Sequence, residues 1–221
     1  MSNGVTAWSY SRYADYTQCP LKFKLKHIQR LPTKGSPAME RGSQVHKEGE
    51  LWLKSKTKAP PPPSYAHFKD DMAQLKTLKP LVEQQWGFTK SWEPTDWFGK
   101  DTFLRIVTDV SVIYDDGSAD IIDFKTGRKY ETNQEQMDLF STGPFMKWPK
   151  IEHVTTRLWY LDQPRDNVVE QEFTRDDFER IKKEWEKRIR PMFADTKFAP
   201  RPNDKCRWCD FRKEAGGPCK Y

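Results

Sequence analysis

An α/β fold, with a central β-sheet flanked by helices, is what this sequence predicts, and three observations predict it. Leu104 to Gly127 reads as two strands joined by a tight turn at Asp115-Asp116-Gly117, with β-branched residues on either side. His153 to Leu161 alternates as a further strand. Around these strands lie helical patterns at Met39 to Ser55 and from Thr174 to about Arg190, the latter with Phe178, Ile181, Trp185 and Ile189 in one amphipathic stripe.

The 221 residues suffice for one large or two small domains with a proper core. Charged residues make up 32% of the chain, yet 14% are aromatic, nine of them Trp, which fits a folded protein with a charged surface rather than a disordered one. The net charge of +6 and pI near 9.0 favour an anionic partner only weakly, because acids are interspersed among the bases. No run of about 18 apolar residues predicts a membrane span. The first residues carry neither an apolar core nor a cleavage pattern for secretion, so a cytoplasmic location is expected.

Taken in order, Ser9 or Ser11 can cap a short helix that ends before Cys19-Pro20. Pro20 can open a second helix with Leu21, Phe23, Leu25 and Ile28 as candidates for burial. Its Lys22, Lys24, Lys26, His27 and Arg30 make either a solvated face or a phosphate-contacting one. After a Pro/Gly loop at 32–37, the helix from Met39 carries Gly42 and, one turn on along the same face, His46, which is either a structural histidine or a ligand. A glycine at that point lets another chain segment approach closely. The prolines at 60–63 form a stiff connector, and Tyr65 to Gln85 is predicted as helix from Phe68, Met72, Leu75, Leu78 and Val82. Trp86 to Trp97 is expected as strand and loop. Beyond the hairpin, Thr132 or Asn133 can cap a helix carrying Gln136, Met137 and Phe140.

The hairpin itself holds the unusual chemistry. Asp109 interrupts its first strand, and Asp123-Phe124-Lys125 its second, so three charges sit in segments otherwise fit for burial. Asp123 and Lys125, two residues apart, project on one side. A three-residue loop with Gly117 left-handed pairs Tyr114 with Ser118 and brings Asp109 opposite Asp123; a two-residue turn at Asp116-Gly117 puts Asp109 opposite Phe124 instead. The first register is expected, since it alone gathers both carboxylates and the lysine. A metal site or a structural Lys125–aspartate ion pair would both fit such a cluster.

The C-terminal segment holds Cys206-x-x-Cys209 and, nine residues further, Cys219, while Cys19 lies near the other end. Three local thiolates completed by a remote one suit a metal cluster that staples the two ends of the chain; four unpaired, partly buried cysteines are the alternative.

With these pieces in this order, the chain resembles the RecB-like branch of the PD-(D/E)xK nuclease superfamily, in particular its members with a C-terminal iron–sulfur staple, as in phage and CRISPR-associated exonucleases. The matching motifs are Ser9-Tyr10-Ser11 with Cys19-Pro20, Gly42 with His46, Asp109, Asp123-Phe124-Lys125 with Thr126-Gly127, the Gln136 helix and the last three cysteines. Phe140 stands where the family commonly has Tyr, and the gap before Cys219 is longer than usual.

The resemblance implies a restriction-endonuclease-like core with a mixed sheet, spanning 1–221 as one nuclease domain. Residues 1–30 and 195–221 would form the staple and 31–194 the catalytic core. It implies Mg²⁺ or Mn²⁺ held by His46, Asp109, Asp123 and the Phe124 carbonyl, catalysis by Asp109, Asp123, Lys125 and Gln136, and a 4Fe-4S cluster, or Zn²⁺, on Cys19, Cys206, Cys209 and Cys219. The expected function is a metal-dependent DNA exonuclease acting in replication, recombination, repair or phage DNA processing, leaving 5′-phosphates, with DNA and a helicase or recombination protein as partners. A catalytically silent DNA-binding protein on the same fold is the alternative. A zinc-stapled transcription factor would need a recognition helix near the cysteines, and the sequence shows none.

Overall fold

The computed structural model describes residues 3–130 and 132–221, with the side chain of Thr132 also outside the description. Its frame is a six-stranded sheet in the order β2-β1-β3-β4-β5-β6. The strands are β1 (Leu81–Phe88), β2 (Pro94–Thr95), β3 (Leu104–Ile113), β4 (Ser118–Lys125), β5 (His153–Tyr160) and β6 (Val168–Thr174). Neighbours are antiparallel except β4 and β5, which are parallel, so the sheet is mixed. The parallel pair needs a crossover, and helix α5 (Thr132–Lys147) supplies it.

Helices cover both faces. Alternation along β4 sends Ala119 and Ile121 one way and Ile122 and Phe124 the other. On the first face they join Trp86, Leu104 and Ile106 in a core with helix α1 (Tyr10–Gln18), α5 and helix α6 (Phe178–Ala194), whose Ile181, Trp185 and Ile189 are the predicted stripe. On the second face Val45 and Leu53 of helix α3 (Pro37–Lys54) and Met72 and Leu75 of helix α4 (Lys69–Thr77) pack on Val110, Val112 and Trp159. Each such large side chain taken out of water contributes about 1.5–3 kcal/mol, so the two layers fix where the strand ends and helix ends meet.

Local chemistry explains several boundaries. Ser9 caps α1 by accepting from the Arg12 amide, and the chain leaves α1 at Cys19 so that Pro20 opens helix α2 (Pro20–Phe23), which runs on as a π-helical turn over Lys24–Ile28. The helix predicted from Tyr65 to Gln85 is shorter than the periodicity implies: a 3₁₀ turn at Pro63–Phe68 leads into α4, which stops at Thr77, and the chain turns through Lys79 at φ +52° into β1. Pro80 is the cause, because proline disfavours helix at the residue before it. Val82 is therefore a strand residue. Strand β6, whose residues are mostly polar and which lies at the sheet edge, has no counterpart in the sequence prediction.

Three of the five cations after Pro20 turn toward a buried acid. Lys22, Lys26 and His27 converge on the buried Asp15 carboxylate at 2.8, 2.8 and 2.7 Å. Burial opposes that charge, but His27, Lys22 and Lys26 hold the Asp15 carboxyl well below its ordinary value.

Candidate active site

The β3–β4 hairpin sets the geometry. Gly117 adopts φ +88°, the Tyr114 amide donates to the Ser118 carbonyl at 2.9 Å, and the ladder runs Ile113↔Ala119 to Val110↔Ile122. This is the three-residue-loop register, and continuing it by one step sets Asp109 level with Asp123. At that step Asp109 takes a ladder position with its side chain: its Oδ2 accepts from the Phe124 amide at 2.6 Å.

From there the polar groups divide into two linked sets. Asp109 Oδ1 lies 3.0 Å from His46 Nδ1 on α3. Close packing holds α3 in reach: Gly49 leaves room for the Tyr65 ring, whose hydroxyl donates to the Val45 carbonyl at 3.0 Å, and a Cβ on Gly42 would meet Thr126 Oγ1 at 3.3 Å. Asp123 instead engages α5 and its own strand. Its Oδ1 accepts from Gln136 Nε2 at 3.2 Å, its Oδ2 lies 2.6 Å from Lys125 Nζ, and Lys125 donates to Gln136 Oε1 at 2.6 Å. The Lys125–aspartate ion pair is thus present, but Asp123 Oδ2 is buried and the lysine does not meet it in hydrogen-bonding geometry.

Glu83 is the residue that sequence reasoning missed. The ladder keeps one register on either side of it, Val82↔Val110 and Gln84↔Thr108, which places Glu83 across from Asp109. Its backbone is left-handed at φ +52° inside a strand, a conformation that costs a non-glycine residue on the order of 1–3 kcal/mol and collects at functional sites. Ligand-type atoms of His46, Glu83 and Asp109 lie within 4.8 Å of one another, the one such group among the described residues. The structure does not bring Asp123 into that group. With 81–85 read as helix, no signal tied Glu83 to the hairpin; Pro80 was the clue.

Electrostatics couples the two sets. Burial lowers the His46 pKa, but Asp109, with Asp123 and Glu83 behind it, outweighs burial and raises it to about 9. Burial pushes the Asp123 carboxyl above its ordinary value, and Asp109 adds to this against Lys125. Burial and then Asp109 also push Glu83 up. Asp109, Asp123 and Glu83 share this region with His46 and Lys125, and Glu50, paired with Lys47 and Lys54, lies beside them. Phe124, between the two sets, is locked by ring contacts to Tyr65, His46 and Trp159.

The cysteines are a different matter. All four are free and half-buried, and all line one narrow pocket with Lys22, Leu25 and Phe211. No three of their sulfurs meet the 4.8 Å closeness that His46, Glu83 and Asp109 show, so the expected four-cysteine cluster is not shown.

A family model of the PD-(D/E)XK nuclease superfamily matches residues 7–97 and 48–213. The chain belongs to the PD-(D/E)XK nuclease superfamily. No curated protein matches it by sequence. Among solved structures, a protein from Eubacterium rectale provisionally described as an exonuclease is similar at TM-score 0.53 and 11% identity, over 99% of this chain and 90% of that one. The crystal structure of SSO0001 aligns at TM-score 0.48 and 16% identity, over 93% of this chain and 84% of that one. Family membership and the mixed sheet between helices agree with a restriction-endonuclease-like fold. Among the described residues of this superfamily member, no helix is long and apolar enough to cross a membrane.

Proposed function

We propose that this chain is a Mg²⁺- or Mn²⁺-dependent deoxyribonuclease, acting as an exonuclease on DNA in the cytoplasm. The observation that carries the reading is the meeting of His46, Glu83 and Asp109 beside the hydrogen-bonded Asp123–Lys125–Gln136 set. Two carboxylates and an imidazole are donors of the kind that suit Mn²⁺ or Mg²⁺, and Asp123, ion-paired with Lys125, is a further buried carboxylate beside them. His46, Glu83, Asp109, Asp123 and the Phe124 carbonyl are the proposed ligands.

A bound divalent cation supplies charge neutralisation for the phosphate and a lower pKa for the attacking water. The remaining work belongs to side chains. Lys125, an ammonium paired with Asp123, would orient that water and offset charge that develops on the phosphate. Gln136, which touches both Lys125 and Asp123, fixes the ammonium where the scissile strand lies. Asp109, by accepting from the Phe124 amide, holds the two strands in the register that aligns these groups.

At the other end of the molecule, we infer that Cys19, Cys206, Cys209 and Cys219 hold a 4Fe-4S cluster joining residues 1–30 to 195–221 outside a catalytic core of 31–194. Four free thiols on one pocket support this, and their spread disfavours zinc, whose bonds of about 2.3 Å draw four sulfurs to within about 4 Å of each other. A helicase or recombination protein is the proposed partner. The test is incubation of purified protein with end-labelled single- and double-stranded DNA, with and without Mn²⁺. Mn²⁺-dependent release of short products is expected; intact DNA throughout would overturn the reading in favour of a silent DNA-binding protein. A brown colour lost on Cys209→Ala tests the cluster.

A further inference from the structure

A hollow beside Gln136 lies between the N-terminal segment, the start of β3 and α5, lined among others by Ser9, Arg12, Trp97, Arg105 and Val107. Next in the chain to Trp97 is Phe98, 85% exposed, with the Arg105 guanidinium 5.9 Å from its ring. Single exposed apolar side chains are ordinary, but this one sits on a pinned loop. Thr102 Oγ1 donates to the carbonyls of Asp96 and Gly99 at 2.7 and 2.8 Å, and Gly87 lets the Asp96 carbonyl approach so closely that a Cβ there would lie 2.7 Å from it. A ligand meeting a side chain on a fixed backbone loses less to ordering than one meeting a mobile loop.

The charges point the same way. Arg105 donates from Nε to the Trp97 carbonyl at 3.0 Å, and its guanidinium lies 5.4 Å from the Trp97 ring and 5.9 Å from the Phe98 ring. Arg12 is half-buried and donates to the Ala7 carbonyl at 2.7 Å. Among the described residues neither arginine forms an ion pair, whereas fifteen other pairs are made elsewhere. Burial, and next the Arg105 charge, hold Arg12 below its ordinary pKa, as expected of cations crowded together without an anion. Of the nearby acids, Asp101 accepts from Thr95 Oγ1, and His27 in the same hollow is engaged by Asp15.

We propose that this hollow is a nucleotide subsite, in which an unpaired base of the DNA strand being cut stacks on Phe98 and its neighbouring phosphate sits between Arg12 and Arg105. The inference rests on the nuclease reading above. A free aromatic face suits a base of any identity, and guanidiniums suit phosphate oxygens. Arg105 and Asp109 are four residues apart on β3, about 13 Å of extended chain, and Gln136, which lines the hollow, also contacts Asp123 and Lys125. A strand anchored at Phe98 therefore passes Gln136 before it reaches the carboxylates.

The test uses the full chain and fluorescence anisotropy in Ca²⁺, with cleavage read separately in Mn²⁺. The probes are a labelled oligothymidine and an abasic oligomer of equal length. Phe98→Ala is expected to weaken oligothymidine binding about ten-fold and to leave the abasic oligomer unchanged. Phe98→Trp restores the difference, and Arg105→Gln weakens both oligomers. In cleavage, Phe98→Ala raises KM and keeps kcat. Equal affinity of Phe98→Ala and the parent for oligothymidine, or equal losses on both oligomers, would overturn the subsite while a cutting parent protein leaves the nuclease reading intact. A parent protein that neither binds nor cuts DNA would overturn both.

Discussion

Two buried polar clusters in this molecule look alike in sequence and differ in charge balance. Around Asp15, one carboxylate receives Lys22, Lys26 and His27, and its pKa is driven down. Around the hairpin, burial first and Asp109 next push Asp123 and Glu83 up against Lys125, His46 and Lys54, and Asp109 outweighs burial to raise His46. The first cluster is complete as it stands and ties α1 to the turn that follows it. The second leaves Asp123 and Glu83 buried without full compensation, and on the function proposed above a divalent cation would complete it. Burial of a carboxylate alone does not mark a functional site; burial without compensation does.

The largest effect expected from breaking this contrast is on cleavage. Asp109→Ala, Asp123→Ala and Lys125→Ala should each lower DNA cleavage by a factor on the order of a thousand or more, with an unchanged circular-dichroism spectrum. Asp15→Ala, made in the balanced cluster, should leave cleavage per folded molecule unaltered and cost about 2–4 kcal/mol in urea melts. That figure lies toward the lower part of the range for a broken buried ion pair because Lys22 and Lys26 keep some water contact.

Divalent cation should separate the clusters next. Saturating Mn²⁺ is expected to stabilise the parent protein by about 2–3 kcal/mol at a hundred times its Kd. Glu83→Gln should lose most of that shift, and Asp15→Ala should keep it. A Glu83→Gln protein with the full shift would remove Glu83 from the ligand set.

The smallest effect is in pH dependence, where the two clusters have opposite signs. His46 is raised from 6.5 to about 9 on folding, so its stabilisation is fully present below about pH 6.5 and lost as pH rises through about 9. Asp15 is lowered from 3.8, so its stabilisation is present above about pH 4 and lost as pH falls through the depressed value. In metal-free buffer His46→Gln should flatten the alkaline limb of the stability profile by about 1–2 kcal/mol, leaving the acid limb to Asp15. Because a cation competes with the proton on His46, cation affinity should climb with pH up to about 9.

Much of this was legible in the sequence, and the reasons are local. The register of Asp109 against Asp123 follows from one glycine, because a left-handed Gly117 selects the loop length and the loop length selects the face. The α6 stripe and the Ser9 cap follow from periodicity and capping chemistry in the same way. Glu83 was hidden because the apolar spacing from Phe68 to Val82 mimics a helix across Pro80, where one backbone preference outweighs the pattern. The fate of Lys22, Lys26 and His27 was hidden because their anion, Asp15, lies in a separate helix, and only packing brings the two together. Strand β6 was hidden because its inward positions Val169, Gln171 and Phe173 include a polar residue and its outward ones an apolar Val168, so its alternating burial is not matched by alternating residue type.

On the proposed function, the buried carboxylates beside Lys125 hold a catalytic cation. Calorimetric titration of Mn²⁺ into the parent protein and into Asp109→Asn tests it most directly. Saturable binding to the parent that parallels the onset of DNA cleavage is expected, with loss of both in the variant. Equal Mn²⁺ binding and equal Mn²⁺-dependent cleavage by Asp109→Asn would contradict it.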